Sequence, residues 1–558
     1  MSTLADRFEQ MYPTFDPVQV ETASRFSSGE ARHFAAGESV FEAGVRNVPA
    51  WLVLEGEIEI VRRDGLHRQS SVVSLGPGQI SGEVSQLAGL GSIAAGVAGA
   101  PGCTVLPFDA AHVRALVVGS AEIGEILMRA FILRRVALIE EGGSGSLLIA
   151  MPGSPDLIRL EGFLSRNGYP YTVLNAATDE AALAAVERFG VLPDELPLMI
   201  CPNGKILKRP TDAEAGMCLG ITPELDPEKI YDVAVVGAGP AGLATAVYGA
   251  SEGLSTIVLD QRAFGGQAGA SARIENYLGF PTGISGMALA GRAFTQAQKF
   301  GAEIAIPLEV VKLDCGGAAR RPGEPMHLEI SGGATIKART VVVASGARYR
   351  RPAIDNLDAF DGNGVSYWAS PIEGRLCAGE NVALIGGGNS AGQAVVYLAP
   401  MVKHLHLVVR GSGLEASMSR YLIERIRALP NVELHVETEV VALKGDHSGL
   451  TGATFRDRAS GEVSSCALRH LFMFVGADPN GGWLPRSVAV NDKGFIVTGE
   501  SFTFDGNSRA PLPLETSVSG VFAIGDVRAG STKRVAAAVG EGAGVVAQIH
   551  QVLAAGRA

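Results

Sequence analysis

The sequence predicts a multidomain α/β protein: an N-terminal β-roll with helices, then a smaller α/β domain, then two nested dinucleotide-binding domains. The first observation is the length, because 558 residues exceed what one core holds at about 150 residues per domain. The second is a change of pattern along the chain, from short apolar strands separated by glycines to strands that alternate with helices. The third is a pair of glycine-rich turns after residue 230, each following a buried strand and opening a helix.

Charge and cysteine usage narrow the classes of function. Lys and Arg number 47 against 58 Asp and Glu, a net charge of −11, which disfavours nucleic acid and anionic membranes as partners. The six cysteines contain no C-x-x-C, which excludes a local dithiol or zinc knuckle and favours a reducing compartment. Residues 1–10 lack the apolar stretch of a secretory signal, and the apolar segment 89–105 is broken by Pro101. We therefore expect a cytoplasmic protein with no membrane or nucleic-acid partner.

Residues 1–141 predict the β-roll and its helices. Between residues 30 and 108, short apolar strands are separated by glycine turns, as in an all-β roll or barrel. Residues 51–61 alternate apolar and charged side chains, which predicts a half-buried pair of strands. In residues 109–141 the apolar side chains recur at intervals of three and four residues, which predicts helix.

This first segment resembles a cyclic nucleotide-binding domain. The matching residues are Gly37, Phe41, Gly44, the turn at 54–56, and the pair Gly82 and Glu83. In that family the glycine–glutamate pair opens a helix that holds the cyclic phosphate, Glu binds the ribose, and a following Arg pairs with the charge. An ungapped comparison places Ser92 at the Arg position. Gly82, Glu83 and Ser92 are therefore candidate ligand residues, and two interpretations stay open: a site for a cyclic nucleotide or another ligand, or a docking or dimerisation module.

Residues 146–222, after the glycine-serine linker 142–146, predict a second domain. Its expected order is strand 147–151, a helix to 167, strand 171–174, helix 178–189, and a strand pair at 197–200 and 204–207. This order resembles a thioredoxin or glutaredoxin-like domain, with Pro197 at the cis-proline position. The family's C-x-x-C follows the first strand, but residues 152–156 contain no thiol, and Cys201 and Cys218 lie elsewhere. We expect a redox-inert domain.

The first glycine-rich turn predicts a dinucleotide site. The buried strand 232–236 runs into Gly237, Gly239 and Gly242 of a G-x-G-x-x-G motif, with a helix after it. The first glycine makes the turn, the second lets a pyrophosphate approach, and the third lets helix pack on strand. Asp260 ends the next strand, 18 residues after Gly242, where a carboxylate accepts a ribose hydroxyl.

A second copy of this motif follows the strand at 381–385, with Gly386, Gly388 and then Asn389, Ser390 and Ala391. The next strand, 404–409, ends at Arg410 rather than at an acid. An arginine there suits a 2′-phosphate, so NADPH is favoured and NADH is the alternative. Two nested nucleotide sites predict a flavoprotein that is reduced by a nicotinamide.

Residues 230–558 resemble the low-molecular-weight thioredoxin reductases over the full length of that fold. The matching segments are 265–267, 274–281, 343–347, 474–480 and 520–526. The resemblance implies that residues 230–347 and 474–558 form an FAD domain, that the inserted residues 348–473 bind NADPH and rotate, and that the protein is a homodimer. The residues expected to hold FAD are Gly237, Gly239, Pro240, Ala241, Gly242, Asp260, Gly266, Gln267, Asn276, Gly346, Gly525, Asp526 and Arg534. Those expected to hold the nicotinamide nucleotide are Gly386, Gly388, Asn389, Ser390, Ala391 and Arg410.

One departure from that family decides the expected activity. Trp368 and Pro371 stand where the family has its C-A-x-C cysteines, and Cys377 beyond them is expected to be a structural thiol. Neither replacement carries electrons as a thiol does, so no catalytic dithiol is expected. Two hypotheses follow: a reductase whose acceptor is a ferredoxin-like protein, a quinone, flavin or O₂, or a redox or nucleotide sensor that keeps FAD without turnover.

The histidines predict no metal site. His404 and His406 are two apart on a strand, and we expect one core position and one surface position.

Overall fold

The structure is a computed structural model that describes residues 7–63, 69–140, 145–317, 323–446, 449–499 and 510–556. The glycine-serine linker and the extreme N-terminus lie partly outside the described residues. No helix within those ranges combines the length and the apolarity that crossing a bilayer needs.

The N-terminal part is an antiparallel roll closed by helices, as predicted. Its strands are Arg32–Phe34, Ser39–Phe41, Ala50–Arg63, Gln69–Leu75 and Ala95–Phe108, and its helices are Phe8–Met11, Pro17–Ser24, Ala110–Gly119 and Ala121–Glu140, with a 3₁₀ turn at Val84–Leu87. The prediction of a strand pair over 51–61 is wrong, because Ala50–Arg63 is one continuous strand. Gly56 has a φ of 71° there and a Cβ would lie 2.0 Å from the Gly102 carbonyl oxygen. The pairing register shifts between Gly56 and Ile58, so the glycine marks a bulge rather than a chain reversal.

The middle part contains a four-stranded sheet with helices in the predicted order. The strands are Ser146–Ala150, Tyr171–Asn175, Leu198–Ile200 and Ile206–Lys208, and the helices are Pro155–Arg166, Glu180–Arg188 and Asp212–Cys218, with a 3₁₀ turn at Pro193–Glu195. The first two strands are parallel and the last two pair antiparallel. The peptide bond before Pro197 is cis, as expected.

The cysteines of this middle part correct one inference. Cys201 and Cys218 form a disulfide, with a Cα–Cα distance of 6.5 Å and both residues buried. The wide spacing therefore does not indicate a reducing compartment, because the fold brings together two cysteines that are 17 residues apart. We expected a redox-inert domain because its cysteines did not form a C-x-x-C pair. The disulfide removes that support, since the two cysteines are paired in the folded domain.

The FAD-type domain is built on a seven-stranded sheet. Its strands are Ile230–Val236, Thr256–Leu259, Glu303–Ala305, Val310–Asp314, Met326–Ile330, Thr335–Val343 and Val521–Ala523, and its helices are Pro240–Ser251, Gly266–Gly269, Gly286–Lys299 and Val535–Ala555, with a 3₁₀ turn at Gly525–Val527. Five of the strands run parallel, and Val310–Asp314 and Met326–Ile330 form an antiparallel meander at one edge. The parallel strands are almost completely buried between helical layers and the meander, which is the doubly covered arrangement their apolar sequences predict.

The inserted domain repeats the parallel arrangement. Its strands Val365–Ser366, Asn381–Ile385, His404–Val408, Val432–His435 and His470–Met473 form one parallel sheet, and Thr438–Asp446, Gly449–Asp457 and Val463–Ala467 form a three-stranded antiparallel one. Its helices are Leu357–Phe360, Pro371–Leu376, Asn389–Leu398 and Arg420–Arg427. A two-stranded ribbon, Ala347–Tyr349 with Ala477–Pro479, connects it to the FAD-type domain.

Candidate functional site

A cleft of about 450 Å³ lies at the carboxyl ends of four parallel strands of the FAD-type sheet. Residues 237, 260, 344 and 525, which follow those strands, line one wall. The opposite wall comes from the inserted domain and includes Trp368, Asn389 and Ser390. This is the position at which open α/β sheets bind their ligands.

The glycines of the first motif serve two different purposes. Gly237 has a φ of 111°, and Gly242 packs so closely that a Cβ would lie 1.9 Å from the Gly237 carbonyl oxygen. These two glycines are required by the fold itself. Gly239 has an ordinary φ of −72°, and a Cβ there would meet only the Gly266 Cα, at 4.0 Å. The space beside Gly239 is therefore open for a ligand at the N-terminus of the helix Pro240–Ser251.

Asp260 is held at the edge of the cleft by the backbone. Its carboxylate accepts hydrogen bonds from the N–H groups of Ala238 (2.9 Å), Arg262 (2.9 Å) and Ala263 (3.1 Å). These bonds tie the glycine turn to the loop after the second strand. The carboxylate keeps acceptor capacity toward the cleft, as a ribose-binding acid requires.

Asp526 enters the cleft from a 3₁₀ turn that three unpredicted residues, Glu541, Arg528 and Lys533, stabilise. The Glu541 carboxylate accepts from the Gly525 N–H (2.6 Å) and from Arg528 Nη2 (2.6 Å). Lys533 Nζ donates to the Asp526 carbonyl oxygen at 2.5 Å. Burial raises the pKa of Asp526, and the Lys533 charge partly opposes that rise. Glu541 is the only acidic residue of the helix Val535–Ala555, which sequence reasoning did not use as a signal.

Arg166, from the middle part of the chain, also lines the cleft and was not predicted. It ends the helix Pro155–Arg166, and its Nη2 donates to the Gly266 carbonyl oxygen at 2.9 Å. Its Nε is buried and has no hydrogen-bond partner among the described residues. Burial and the charge of Arg262 lower the pKa of Arg166. A buried donor without a partner beside an acid and a glycine turn fits an anionic or polar ligand such as FAD.

Trp368 lies in the cleft within a small hydrogen-bonded network. Its indole Nε1 donates to Glu373 at 2.9 Å, and the Ser370 N–H donates to the same carboxylate at 3.1 Å. The Arg262 guanidinium lies over the indole ring, 5.5 Å from its centroid. The side chain is therefore fixed in position rather than swinging freely at the surface.

No cysteine is among the described residues that line this cleft. Cys377 is buried behind the helix Pro371–Leu376, where its Sγ donates to the Gly374 carbonyl oxygen at 3.6 Å. Burial raises the pKa of this thiol to about 11. A thiol with so high a pKa is a poor nucleophile at neutral pH.

The second glycine motif reaches the cleft only in part. Gly386 has a φ of 146°. The Asn389 side-chain oxygen Oδ1 accepts a hydrogen bond from the Ser419 N–H at 2.7 Å. Arg410 is exposed at the end of its strand, outside the cleft lining, and its carbonyl oxygen accepts from Arg458.

The structure thus brings together most of the predicted cofactor residues. Those lining the cleft are Gly237, Gly239, Pro240, Ala241, Asp260, Gly266, Gln267, Asn276, Gly346, Asn389, Ser390, Gly525, Asp526 and Arg534. Those outside its lining are Gly242, Gly386, Gly388, Ala391 and Arg410.

In the β-roll, Gly82 and Ser92 are hydrogen-bonded within the protein, whereas the buried Glu83 carboxylate has an ion pair but no hydrogen bond among the described residues. Glu83 is buried and faces Arg135, with Oε2 and Nη1 3.6 Å apart. Arg134 donates to the Gly82 carbonyl oxygen at 2.7 Å, and the Ser92 hydroxyl donates to Ala94 at 2.8 Å. The two arginines come from the helix Ala121–Glu140, whereas the resemblance implies a single arginine near residue 92.

The same region of the roll contacts the middle part of the chain. A Cβ on Gly91 would lie 3.1 Å from the Leu219 carbonyl oxygen, and Arg46 Nη1 donates to the Thr222 carbonyl oxygen at 2.8 Å. Arg135 lies over the Tyr169 ring, 4.9 Å from its centroid.

The expectation that His404 and His406 divide between core and surface is wrong. Alternate residues of a strand point to the same face, and both histidines lie beside the Glu433 carboxylate. These three side chains form a group of potential metal ligands, so the prediction that the histidines form no metal site is not supported.

A glycine turn lies at the carboxyl ends of parallel strands and faces part of a second such motif on an inserted domain. This arrangement is typical of oxidoreductases that bind two dinucleotides. Residues 231–542 match the model of the family described as Pyridine nucleotide-disulphide oxidoreductase, and the chain belongs to this family. Members of the thioredoxin reductase type use FAD and NADPH. Residues 31–119 match the model of the cyclic nucleotide-binding domain.

Individual relatives agree with this assignment. The chain is 34% identical to one component of the alkyl hydroperoxide reductase of Escherichia coli, over 57% of this chain and 58% of that protein. It is 32% identical to the thioredoxin reductase of Bacillus subtilis, over 56% of this chain and 92% of that protein. The chain thus spans little more than half the length of the peroxide-reductase relatives it matches. The crystal structure of T. acidophilum thioredoxin reductase superposes with a TM-score of 0.52 at 29% identity, covering 58% of this chain and 99% of that one.

Proposed function

We propose that the chain is an FAD-dependent NAD(P)H oxidoreductase that passes electrons to an acceptor other than an internal dithiol. In the overall reaction NAD(P)H loses a hydride, which is two electrons and a proton. A quinone, free flavin or O₂ takes up both electrons together with that proton and one more from solvent. Two molecules of a one-electron redox protein instead take one electron each, and the proton is released to solvent.

The residues of the cleft fit FAD. Gly239 leaves open space at a helix N-terminus, and Asp260, Asp526 and Arg166 offer polar groups in the lining of the cleft. When bound, FAD accepts a hydride from the nicotinamide and releases electrons singly or in pairs. The protein's own part is to position both nucleotides and to exclude water.

The proposal of an external acceptor rests on Trp368. It stands in the cleft at a position where the family has a cysteine, fixed by Glu373 and Arg262. An indole cannot form a disulfide, and the Cys201–Cys218 disulfide lies buried in the core of the middle part, away from the cleft lining. Electrons therefore leave to an external acceptor.

A steady-state assay tests this proposal. With excess ferricyanide, each NADPH oxidised reduces two ferricyanide ions, and we expect many turnovers per chain. The same protein with oxidised thioredoxin releases no thiols above the rate without enzyme. Rapid thiol release from thioredoxin, or NADPH oxidation that stops after one equivalent, contradicts the proposal.

The nicotinamide preference rests on Arg410. An exposed arginine at the end of this strand suits a 2′-phosphate, so we propose NADPH as the preferred donor. Arg410→Ala then raises the KM for NADPH and leaves that for NADH nearly unchanged. Equal effects on both donors would refute this preference.

The second candidate function is that of a sensor. It is favoured by the match of residues 31–119 to the cyclic nucleotide-binding domain, and by contacts that run from Gly91 through the middle part to Gly266. A ligand of the roll, a cyclic nucleotide among the candidates, then alters the FAD cleft. If NAD(P)H reduces one equivalent of FAD but no acceptor supports turnover, the sensor is the correct assignment.

A further inference from the structure

We propose that the inserted domain holds a site for a divalent transition-metal ion, formed by His404, His406, His435 and Glu433. The site is separate from the FAD cleft and is independent of the proposed electron acceptor. Zinc is the natural probe, because imidazole and carboxylate are ligands that it prefers.

Strand geometry brings the four side chains to one place. His404 and His406 alternate along the strand His404–Val408, and Glu433 and His435 alternate along its parallel neighbour Val432–His435. The register pairs His406 with Glu433. Because alternate residues share a face, all four side chains lie on the same side of the sheet edge, while Leu405 and Leu407 are buried on the other side.

The distances between the potential ligand atoms match those around a tetrahedral ion. His406 Nδ1 and His435 Nε2 are 3.0 Å apart. A Glu433 oxygen lies 3.2 Å from His404 Nε2 and 3.4 Å from His406 Nδ1, and its other oxygen lies 3.6 Å from His435 Nε2. Ligands at about 2.0–2.1 Å from a tetrahedral zinc are separated from each other by about 3.3 Å. The four contacts therefore bracket the expected spacing.

The surroundings of the cluster are those of a metal site with one open side. The Phe455 ring meets His406 and His435 edge-on, with centroids 6.0 and 5.4 Å away, and forms an apolar wall. The Glu433 side chain is 54% exposed, which provides a route for an ion to enter.

A hydrogen bond between His406 and His435 is the competing explanation for their close approach. It uses one imidazole N–H and one lone pair, and it needs neither His404 nor Glu433. A metal ion instead requires a lone pair from each histidine together with the carboxylate. Loss of the carboxylate therefore separates the two explanations.

The test is zinc binding by the full-length, FAD-loaded protein after removal of adventitious metal with a chelator. Titration calorimetry with ZnCl₂ is expected to show one tight site per chain. His406→Gln and Glu433→Gln are each expected to weaken it about tenfold or more, since loss of even an outer-shell partner weakens metal sites by about 10- to 100-fold. The control is His550→Gln, which removes a partly exposed histidine whose Nε2 lies 2.9 Å from Glu252, outside the inserted domain, and is expected to leave zinc affinity unchanged.

Substitution with CoCl₂ adds a readout of geometry. The wild-type protein is expected to give the visible difference spectrum of four-coordinate cobalt, and Glu433→Gln is expected to lose it. Because Glu433 is half-exposed, its replacement by the isosteric amide keeps the fold, as a melting curve verifies. Absence of a tight zinc site in the wild type, or its full retention in Glu433→Gln, overturns the proposal and leaves the hydrogen-bonded histidine pair.

Discussion

Replacement of Gly239 by valine is expected to remove FAD without unfolding the protein. The backbone at Gly239 has a φ of −72°, which any residue adopts, and a Cβ there would meet no protein atom closer than the Gly266 Cα at 4.0 Å. The added side chain therefore enters only the space that we assign to the pyrophosphate. Gly242 differs, because a Cβ there would meet the Gly237 carbonyl oxygen at 1.9 Å and disrupt the fold.

The size of the effect follows from the hydrogen bonds that the ligand loses. Because Pro240 has no N–H, a pyrophosphate at this helix N-terminus would accept from the backbone N–H groups of Ala241 and Gly242. Displacing it by a side chain forfeits about two charge-assisted bonds of about 1.5–3 kcal/mol each. The sum of about 3–6 kcal/mol corresponds to an affinity loss of about two to four orders of magnitude.

The assay is the ratio of flavin to protein absorbance after purification, followed by titration of the apoprotein with FAD. Gly291→Ala is the matched control, since its Cβ would meet nothing within 4 Å on the helix Gly286–Lys299. We expect normal flavin content for that control and similar melting curves for all apoproteins. A Gly239→Val protein that binds FAD as wild type does would refute the placement of the pyrophosphate, and an unfolded one would refute the argument from space.

Three further predictions concern the other residues of these sites. Arg166→Ala is expected to weaken FAD binding about tenfold or more by removing a charged donor. Flavin fluorescence on dilution measures the loss of FAD, and Arg188→Ala, at an exposed arginine, is the control. Equal retention of FAD in both variants argues against a role for Arg166. Cys377→Ala is expected to leave ferricyanide turnover unchanged, because the buried thiol lies outside the cleft, and a large loss of kcat would show that it carries electrons. Calorimetry with cyclic AMP and cyclic GMP is expected to show no binding tighter than about 10 μM, because Ser92, at the position of the family's arginine, offers only a neutral hydroxyl that already donates to the Ala94 carbonyl oxygen. Tight binding would instead establish a regulated enzyme.

Sequence reasoning was most successful where a local pattern imposes local geometry. The strand–glycine–helix order at Gly237 and the cis bond before Pro197 are dictated by neighbouring residues, and both are present. It failed where distant segments meet. Arg166 reaches the cleft from another part of the chain, and Cys218 pairs with a residue 17 positions earlier. Such contacts depend on tertiary packing, which no short segment of a single sequence reveals.

The histidine cluster was not predicted from the sequence, for a different reason. The alternation of His404 and His406 was visible, and period-two geometry places both on one face. What the sequence did not reveal was that the strand bearing Glu433 is the adjacent one, at the edge of the sheet. Strand order is a property of topology, and a candidate ligand set becomes recognisable only when that order is known.

The contacts of the inserted domain bear on how freely it turns. Rotation relative to the FAD-type domain has to separate Arg425 from Glu275 and Arg262 from the Trp368 ring. An exposed ion pair contributes about 1 kcal/mol or less, and a cation–π contact at such a site about 0.5–1 kcal/mol. Together these two contacts favour the present orientation by about tenfold. If the inserted domain rotates as the resemblance implies, binding of a nucleotide or an electron acceptor, or a change of ionic strength, would act directly on this pair of contacts.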